Sequence, residues 1–443
     1  MKNTIRDYIF IRCQPQNLPI NKIYPSMPRI TVLNNPDAVY EFDSGCVTIG
    51  RASECQICIP QKGVSRKHAT LTYTDEGWLL EDLDSHNGLF LHNTRIKSAL
   101  LKHSTNFRVG DAYLHMELPM SRQELLEMAT QAKLIVQEFS GTVLGRNNIG
   151  KNLLIAAIAG GSVLLNGGPG QAKSLAASTM AGLLGLDCRK IPLTPDTQPA
   201  DVLGNEVFIT ENGNDALSPR FVPGPIFSHA IVADEINRAP GKTQAALIEA
   251  VAMGKVPVAN QFEQLPKPLF LVATQNTLPD DSATPLSAGL LDNFAMSLDM
   301  DYPQLQDEIR IIAAETSRQR TAPQAFVTMD SLLDLQELLP TIPVEQPVLE
   351  YAGTLARLTR PNNHESPDFI KKNLLGGAST KAATDLIMCA KARALLEGRD
   401  RPGRNDVREL AICVLRHRII LAGSENKMQT ADDIIRRLLV AIP

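Results

Sequence analysis

The sequence lacks any apolar run long enough to cross a membrane. A spanning helix needs about 20 consecutive apolar residues, and the apolar stretch Leu153–Leu165 is shorter than this and interrupted by glycines. The first residues, Met1–Tyr8, lack the apolar core of a secretory signal. We therefore expect neither a membrane span nor export.

A surplus of basic residues is missing as well. The 443 residues include 44 Lys and Arg against 48 Asp and Glu, a net charge of −4, so the chain has no electrostatic footprint for nucleic acid. The seven cysteines are scattered and odd in number, which is typical of a reducing compartment. Cys55 and Cys58 form a CxxC pair without a second pair at zinc spacing. These features predict a cytoplasmic protein without a zinc site.

A glycine-rich turn stands out among the motifs that are present. Residues 167–174 read GGPGQAKS, after the apolar run 162–165 and before a helix-forming segment. In such a turn, backbone N–H groups surround an anion, a lysine reaches the β- and γ-phosphates of a nucleotide, and a hydroxyl can ligate Mg²⁺. Lys173 and Ser174 are the candidates for these two roles. Ala172 stands where the usual pattern has glycine, so this position must accept a methyl group.

Two further segments are apolar strands with polar ends. Residues 230–235 end in Asp234 and Glu235, and residues 269–276 end in Asn276. This arrangement predicts Asp234 beside a metal and Glu235 where an attacking water would sit. The Asn276 amide can orient the same water. Either segment alone could be a core strand whose end happens to be polar, but the three motifs in this order favour a nucleotide site.

From about residue 143 to residue 421 the chain resembles the MoxR-type AAA+ ATPases. The resemblance rests on the motifs PGQAKS (169–174), TPD (194–196), PADVLG (199–204), GPIF (224–227), DEINRAP (234–240), ATQN (273–276) and LDNF (291–294). It implies an α/β P-loop core with a parallel sheet, a C-terminal α-helical lid, and binding and hydrolysis of ATP with Mg²⁺. It also implies a homo-oligomeric ring, expected to be a hexamer.

The resemblance implies a role for each matching residue. The implied catalytic residues are Glu235, Asn276 and Lys173, and the implied metal ligands are Ser174 and Asp234. The implied nucleotide contacts are Gly168, Pro169, Gly170, Gln171, Ala172, Lys173, Ser174, Leu175 and Lys381, with Val143 and Leu144 at the adenine.

Two positions depart from the family pattern. Asn293 replaces the arginine that would reach a neighbouring subunit's nucleotide, and Lys381 replaces the sensor arginine of the lid. A lysine keeps the charge but loses the planar fork of the guanidinium. A trans arginine finger is worth a factor of ~10³–10⁵ in rate, so we expect weak hydrolysis. Candidates for a substitute finger are Arg220, Arg238 and Arg360.

The N-terminal part has a different pattern. Short strands with period-two alternation, such as Ala69–Tyr73 and Trp78–Leu80, are separated by Asp and Gly turns and predict a β-sandwich. From about residue 28 to residue 118 the chain resembles a forkhead-associated (FHA) domain, on the motifs GR (50–51), SRKH (65–68) and SHNG (85–88).

The FHA resemblance implies recognition of a threonine-phosphorylated protein. The implied phosphopeptide contacts are Arg51, Ser65, Arg66 and Asn87, and His68 is expected to brace the site. A guanidinium beside a hydroxyl suits the phosphate, which carries about −1.5 to −2 charges. Two alternatives stay open: Arg66 could belong to a charged, solvated turn, and the domain could be retained only for packing.

The sequence therefore predicts a multidomain protein. We assign residues 1–120 to an all-β FHA sandwich, 121–142 to a helical linker, 143–300 to the AAA+ core and 301–443 to the helical lid. The expected function is ATP-driven remodelling or assembly of a client recruited through phosphothreonine, with a von Willebrand A domain protein as a further partner suggested by the family. Two other functions stay open: a nucleotide-locked phosphopeptide scaffold with little turnover, and a chelatase subunit.

Overall fold

The computed structural model describes residues 28–33, 35–42, 45–74, 77–91, 94–101, 105–118, 122–210, 217–258, 261–278, 283–316, 325–422 and 430–442. The chain divides into two compact units, Met1–Leu125 and Leu126–Pro443, called here the N-terminal and C-terminal units. None of the helices in these ranges has the length and apolar character needed to cross a membrane.

The N-terminal unit is a β-sandwich. Its strands are β1 (Arg29–Val32), β2 (Asn35–Glu41), β3 (Cys46–Gly50), β4 (Ile57–Cys58), β5 (Ala69–Thr74), β6 (Gly77–Asp82), β7 (Leu89–Leu91), β8 (Thr94–Ile96), β9 (Ser98–Leu101), β10 (Thr105–Val109) and β11 (Ala112–Glu117). They form a six-stranded sheet in the order β2-β1-β11-β10-β7-β8 and a five-stranded sheet in the order β4-β3-β5-β6-β9.

Alternation along these strands builds the core of the sandwich. Ile30, Val47, Leu71, Leu80 and Leu114 are fully buried and belong to one hydrophobic cluster, whereas their sequence neighbours on the strands are more exposed. This period of two is what a half-buried antiparallel strand requires. The predicted β-sandwich is confirmed.

The C-terminal unit contains the remaining strands. These are β12 (Ser162–Gly167), β13 (Cys188–Pro192), β14 (Gly204–Thr210), β15 (Leu217–Pro223), β16 (Ala230–Asp234), β17 (Lys255–Val258), β18 (Gln261–Gln264), β19 (Phe270–Asn276), β20 (Phe294–Asp299), β21 (Leu374–Gly376) and β22 (Ile420–Leu421). Five of them form a parallel sheet in the order β13-β16-β19-β12-β20. The other six pair as the antiparallel hairpins β14-β15 and β17-β18 and the antiparallel pair β21-β22.

The helices begin with α1, at the boundary between the two units. They are α1 (Arg122–Thr142), α2 (Asn147–Ile158), α3 (Lys173–Leu183), α4 (Pro199–Leu203), α5 (Gly241–Met253), α6 (Ala288–Leu291), α7 (Leu305–Thr316), α8 (Met329–Leu338), α9 (Gln346–Leu358), α10 (Asp368–Asn373), α11 (Thr380–Leu396), α12 (Arg404–Leu415) and α13 (Ala431–Ala441), with 3₁₀ turns at Ile236–Arg238 and Leu339–Thr341.

The parallel sheet is buried and the lid is helical, as predicted. Strands β16 and β19 begin with four apolar residues each, and four and five consecutive residues are buried, the pattern of a sheet covered on both faces. In the lid, α11 packs against α9, α12 and α2, and α12 packs against β20. The lid therefore rests on the β20 side of the sheet.

Candidate functional site

The carboxyl edge of the parallel sheet brings the three predicted motifs together. Gly167 pairs with Asn276 across β12 and β19, and Ala233 pairs with Ala273 across β16 and β19. Asp234, the next residue on β16, therefore lies at the same edge. The ends of adjacent parallel strands are where open α/β sheets bind ligands.

The glycine-rich turn uses left-handed backbone where a ligand would need close approach. Gly170 has φ 77°, and Ala172 adopts φ 58° and ψ 27° immediately before α3. At Gly167 an added Cβ would lie 2.1 Å from the Gln171 side-chain oxygen. The backbone of Ala172 is thus held in a conformation that glycine adopts more readily than alanine.

Lys173 folds its ammonium back into this turn. Its Nζ donates to the carbonyl oxygens of Gly167 and Gly168, each at 2.7 Å, and the residue is buried. Burial lowers the pKa of Lys173, although the carboxylates of Asp234 and Glu235 oppose this shift. A phosphate would offer the ammonium a stronger, charged partner than two neutral carbonyls.

The Asp234 carboxylate joins the turn to the neighbouring strand. Its Oδ1 accepts hydrogen bonds from Ser174 Oγ at 2.5 Å and from Thr274 Oγ1 at 2.7 Å, and its Oδ2 lies 2.7 Å from Lys190 Nζ. Burial raises the pKa of Asp234, but the hydrogen bonds from Lys190, Ser174 and Thr274 outweigh it and the net pKa is lowered. Ser174 and Asp234 thus present adjacent oxygen donors, the ligand type that Mg²⁺ prefers.

Glu235 is held in an unusual conformation. Its φ of 58° and ψ of 51° lie in the left-handed region, and its amide donates to Thr274 Oγ1 at 2.9 Å. Its carboxylate pairs with Arg238 at 2.9 Å between Oε2 and Nη1. Backbone in this region costs about 1–3 kcal/mol and clusters at functional sites.

Asn276 lies at the end of β19 and caps its own turn. Its Oδ1 accepts a hydrogen bond from the Leu278 amide at 3.1 Å. Asn237, on the turn after Glu235, donates from Nδ2 to the Asn276 carbonyl at 3.2 Å. The end of β19 is therefore tied to the segment that follows the two carboxylates.

A cavity of about 770 Å³ lies between the start of α2 and the segment that follows β20. Its lining includes Leu144, Arg146 and Tyr302, and a Cβ on Gly168 would come within 3.4 Å of the Tyr302 hydroxyl. Leu144 therefore lies where a base could bind, whereas Val143 is buried. Pockets for small ligands and cofactors have volumes of roughly 300–1,000 Å³.

The structure does not bring Lys381 to the carboxyl edge. Lys381 Nζ donates to the carbonyl oxygen of Asp292 at 2.9 Å and to Asp385 Oδ2 at 3.2 Å. Asp292 and Asn293 precede β20, whose first residue, Phe294, pairs with Ser162 at the start of β12. The six-residue strand β12 separates this amino edge from the glycine-rich turn by roughly 17 Å. The lid's packing against α2 and β20 places Lys381 there.

Asn293 and Lys381 share one cavity at the amino edge. This cavity has a volume of about 570 Å³ and is also lined by Ser162 and Asp385. The Asn293 amide itself donates to the Gly289 carbonyl at 3.1 Å. Asn293 and Lys381 therefore face the same space.

The three candidate arginines lie in different places. Arg238 is paired with Glu235 at the carboxyl edge, and Arg360 donates from Nε to the Ala378 carbonyl at 2.9 Å within the lid. Arg220 is exposed on β15. Of these, Arg238 alone is placed beside a residue of the predicted catalytic set.

The residues of the predicted phosphopeptide site lie on adjoining loops of the N-terminal unit. The Arg51 amide donates to the Ser65 carbonyl at 2.9 Å, and the Ala52 amide donates to the Arg66 carbonyl at 3.1 Å. Asn87 Nδ2 donates to the Gly63 carbonyl at 2.9 Å. Arg51, Arg66 and Asn87 are exposed and Ser65 is half-buried. An added Cβ at Gly50 would lie 2.2 Å from the Arg66 carbonyl oxygen, so the loops meet only because Gly50 lacks a side chain.

His68 braces these loops from below. It is fully buried, its Nδ1 accepts from the Ser65 amide at 3.0 Å, and its Nε2 lies 3.0 Å from the Gly88 carbonyl oxygen. These partners assign the ring proton to Nε2. Burial lowers the pKa of His68, which favours this neutral form.

Two contacts of Asp234 are not predicted from the sequence. Thr274 bonds both Asp234 and the Glu235 amide, and Lys190 pairs with Asp234. Thr274 lies within the ATQN motif, but nothing in the motif indicates a partner for its hydroxyl. Lys190 carried no signal, because its partner is set by the order of the strands.

Family comparisons match all three parts of the chain. The description "ATPase family associated with various cellular activities (AAA)" applies to residues 162–296, the description "AAA lid domain" to residues 370–438, and the description "FHA domain" to residues 47–110.

Individual relatives agree with this assignment. Chaperone MoxR1 of Mycobacterium tuberculosis is 31% identical over 309 residues, which cover 69% of this chain and 81% of the relative. The uncharacterized protein YeaC of Bacillus subtilis is 31% identical over 310 residues, covering 69% and 92%. The crystal structure of a protein of Cytophaga hutchinsonii assigned as an ATPase is 29% identical, with a TM-score of 0.66 and coverage of 72% and 97%. The chain belongs to the MoxR family of AAA+ ATPases and carries an N-terminal FHA domain.

Proposed function

We propose that the chain binds ATP with Mg²⁺ at the carboxyl edge of the sheet and hydrolyses it to remodel or assemble a client protein. The observation that carries this proposal is the junction of Ser174, Thr274 and Asp234, with Glu235 next along the chain. It sets two oxygen donors for a metal beside a carboxylate that can take a proton.

Each residue of the edge has a proposed task. The N–H groups of the turn and the Lys173 ammonium bind the phosphates, and Ser174 and Asp234 hold Mg²⁺, which when bound neutralises charge on the phosphate oxygens. Glu235 accepts the proton of the attacking water, and Asn276 orients that water. Glu235 must first leave Arg238, and the hydrogen bond to Thr274 keeps its backbone in place meanwhile.

We further propose that the amino edge serves a neighbouring subunit in a homo-oligomeric ring, with six subunits as the expected number. Asn293 and Lys381 are about one strand length away from the turn of their own chain, but they line an open cavity together. A heterologous interface that closes into a ring would bring one subunit's amino edge to the next subunit's carboxyl edge. Lys381 would then place a compact positive charge there, without the planar fork of the arginine that Asn293 replaces.

The FHA domain is proposed to recruit the client through phosphothreonine. The exposed guanidinium of Arg51 and the half-buried Ser65 lie on loops joined by backbone hydrogen bonds, and buried His68 fixes one of those loops. A phosphate is well matched by a guanidinium and a neighbouring hydroxyl. A von Willebrand A domain protein as a further partner, and action in the cytoplasm, are proposals that follow from the family resemblance and the sequence.

A second function is favoured by one observation. With Asn293 in the place of the finger and Glu235 paired with Arg238 at 2.9 Å, turnover could be so slow that bound nucleotide acts to lock an assembly. The chain would then be a phosphopeptide-binding scaffold. Steady-state ATP turnover by the purified full-length chain separates the two functions, because the scaffold would bind ATP without releasing phosphate.

Two variants test the nucleotide site. Lys173→Ala should abolish binding of a labelled, non-hydrolysable ATP analogue, whereas Glu235→Gln should bind it normally and release no phosphate from ATP. Lys133→Ala, which removes an exposed lysine on α1, is the matched control and should behave like the wild type. Unchanged affinity in Lys173→Ala would refute the assignment of the turn.

The FHA site is tested by peptide binding to the full-length chain. Phosphothreonine peptides selected from an oriented library should bind, and their unphosphorylated forms should not. Arg51→Ala should weaken binding at least about tenfold, since a charge-assisted hydrogen bond contributes about 1.5–3 kcal/mol. Lys97→Ala, at another exposed position of the N-terminal unit, should leave binding unchanged. No enrichment of any phosphopeptide would leave the domain with a packing role.

A further inference from the structure

Lys190 reaches the metal side of Asp234 from the edge of the sheet. It lies on the edge strand β13, which pairs in parallel with β16 so that Lys190 is opposite Val232 and Pro192 is opposite Asp234. The side chain therefore extends along the strand direction, and its Nζ comes to 2.7 Å from Asp234 Oδ2. No proposed step of nucleotide binding or hydrolysis uses this contact.

The three donors to Asp234 differ in their freedom to leave. The hydroxyls of Ser174 and Thr274 both donate hydrogen bonds to Oδ1. Ser174 lies at the start of α3, and Thr274 is fully buried on β19. Lys190 holds Oδ2 from a side chain that is 55% exposed, while the Asp234 side chain is only 20% exposed. Water can replace Asp234 as the partner of Lys190 at little cost, whereas Thr274 would lose its partner inside the protein.

A divalent cation and the Lys190 ammonium would compete for the same carboxylate. Ser174 and Asp234 are the two residues proposed to hold Mg²⁺. The Lys190 ammonium already pairs with Oδ2 of Asp234. Two cations within a few ångströms of each other repel, and the repulsion is large at a partly buried site. Binding of Mg²⁺ should therefore loosen Lys190, and the presence of Lys190 should weaken binding of Mg²⁺.

We propose that Lys190 is a displaceable counter-ion, which holds Asp234 in place while the divalent cation is absent and leaves when Mg²⁺ binds with the nucleotide. Lys190 thereby raises the Mg²⁺ concentration at which the nucleotide complex forms. This inference rests on the proposed function, because it requires a Mg²⁺ site at Ser174 and Asp234. Lys190 is a positioning residue in this scheme and touches no reacting atom.

The test is a Mg²⁺ titration of nucleotide binding. The full-length chain is held with a fluorescent, non-hydrolysable ATP analogue at constant ionic strength, and the Mg²⁺ concentration at half-maximal binding is measured. Lys190→Met keeps the length of the side chain and removes its charge, so it should lower this concentration roughly two- to fivefold, the size expected for the loss of one partly exposed ion pair. Lys190→Arg keeps the charge and should retain the wild-type value.

Arg189→Met is the matched control. Arg189 is the preceding residue on β13, is similarly exposed, and lies 3.9 Å from Asp187 instead of Asp234. This variant should keep the wild-type Mg²⁺ dependence. If removal of any positive charge from β13 caused the shift, Arg189→Met would shift the Mg²⁺ dependence too. Should Lys190→Met fail to fold, Lys190→Gln makes the same test.

The outcomes separate the two proposals. A wild-type chain that binds the analogue with a Mg²⁺ dependence, together with an equal or higher half-maximal concentration in Lys190→Met, would overturn the counter-ion role alone. A shift of equal size in Arg189→Met would also overturn it. Absence of Mg²⁺-dependent binding in the wild type would overturn the proposed function and this inference with it.

Discussion

Arg418 and Asp292 join the lid to the amino edge of the parallel sheet. Arg418 Nε lies 3.0 Å from Asp292 Oδ1 in a side chain that is only 1% exposed. The same guanidinium pairs with Asp385 and donates to the Phe294 carbonyl at 2.8 Å. Ser379 adds a hydroxyl hydrogen bond to the Asp292 carboxylate at 2.9 Å. The segment that carries Asn293 is therefore fixed to the helical lid by an ionic cluster around the buried Arg418.

Removing this guanidinium should destabilise the C-terminal unit. Arg418→Met leaves the carboxylates of Asp292 and Asp385 without their buried partner. These carboxylates are 30% and 17% exposed, so the cost should be about 2–3 kcal/mol, below the roughly 3–5 kcal/mol of a fully buried pair. The midpoint of thermal unfolding should fall by several degrees. Limited proteolysis identifies whether the N-terminal or the C-terminal unit gives rise to the transition. In contrast, Arg401→Met removes an exposed pair at 3.6 Å and should change stability by less than about 0.5 kcal/mol. Equal effects of the two variants would contradict the ionic-cluster interpretation.

Acid should destabilise the same region through His417. Its Nε2 lies 2.8 Å from the Phe294 carbonyl oxygen, and burial together with the neighbouring Arg418 charge lowers its pKa to about 3. A histidine that is harder to protonate in the folded state favours unfolding as the pH falls below its unfolded pKa of about 6.5. The loss should reach about 2 kcal/mol at pH 5, since each pH unit in this range contributes about 1.4 kcal/mol.

Chemical denaturation at pH 7, 6 and 5 measures this effect. His417→Gln can still donate to the Phe294 carbonyl but does not titrate, so the fall between pH 7 and pH 5 should be smaller in this variant than in the wild type. The carboxylate of Glu397, whose pKa is lowered to about 2, contributes only at lower pH. The same pH dependence in both proteins would rule out His417 as its origin.

Thr274 should matter for turnover more than for nucleotide binding. Thr274→Val keeps the shape of a fully buried side chain and removes the hydroxyl that joins Asp234 to the Glu235 amide. With Glu235 less firmly placed, kcat should fall at least about tenfold, as small misplacements of catalytic groups are costly. Affinity for a non-hydrolysable analogue should change less. Ser297→Ala is the control and should retain turnover, because it removes a buried hydroxyl on β20 that accepts a hydrogen bond from Asn166 on β12.

Asn293→Arg should raise kcat if the amino edge completes a neighbouring site. The restored guanidinium would stabilise charge that develops on the departing phosphate, so ATP affinity should stay nearly constant. We expect roughly a tenfold gain, below the ~10³–10⁵ of an arginine finger in its native setting. Asn293→Gln tests for a mere change in size and should leave kcat unaltered. A fall in kcat in Asn293→Arg would show that another cation already occupies the position.

Much of the site could be predicted because its motifs are local. Each motif can be recognised within ten residues of sequence. The motifs are a glycine-rich turn, a strand ending in two carboxylates and a strand ending in an amide. Parallel pairing then brings these ends to one edge, as Gly167 opposite Asn276 shows. The sandwich was predictable for the same reason, since alternating strands such as β5 carry their own signal.

The missed contacts depend on which elements become neighbours. Lys190 meets Asp234 because β13 pairs with β16, although more than 35 residues separate the two strands in the sequence. The lid packs beside β20 and places Lys381 against the Asp292 carbonyl, away from the glycine-rich turn of its own chain. No local sequence pattern predicts either contact. The first follows from the strand order of the sheet, and the second follows from the packing of α12 against β20.

The left-handed backbone at Ala172 and Glu235 has a consequence for affinity. Among the residues that the structure describes, the non-glycine residues with positive φ are Asp84, Ala172 and Glu235, and two of these three flank the proposed nucleotide site. Their conformational cost is met when the chain folds, so an incoming phosphate finds the turn already shaped and need not order it. The protein thus gives up some stability to gain preorganisation, and a glycine at position 172 would shift that balance toward a looser turn on a more stable fold.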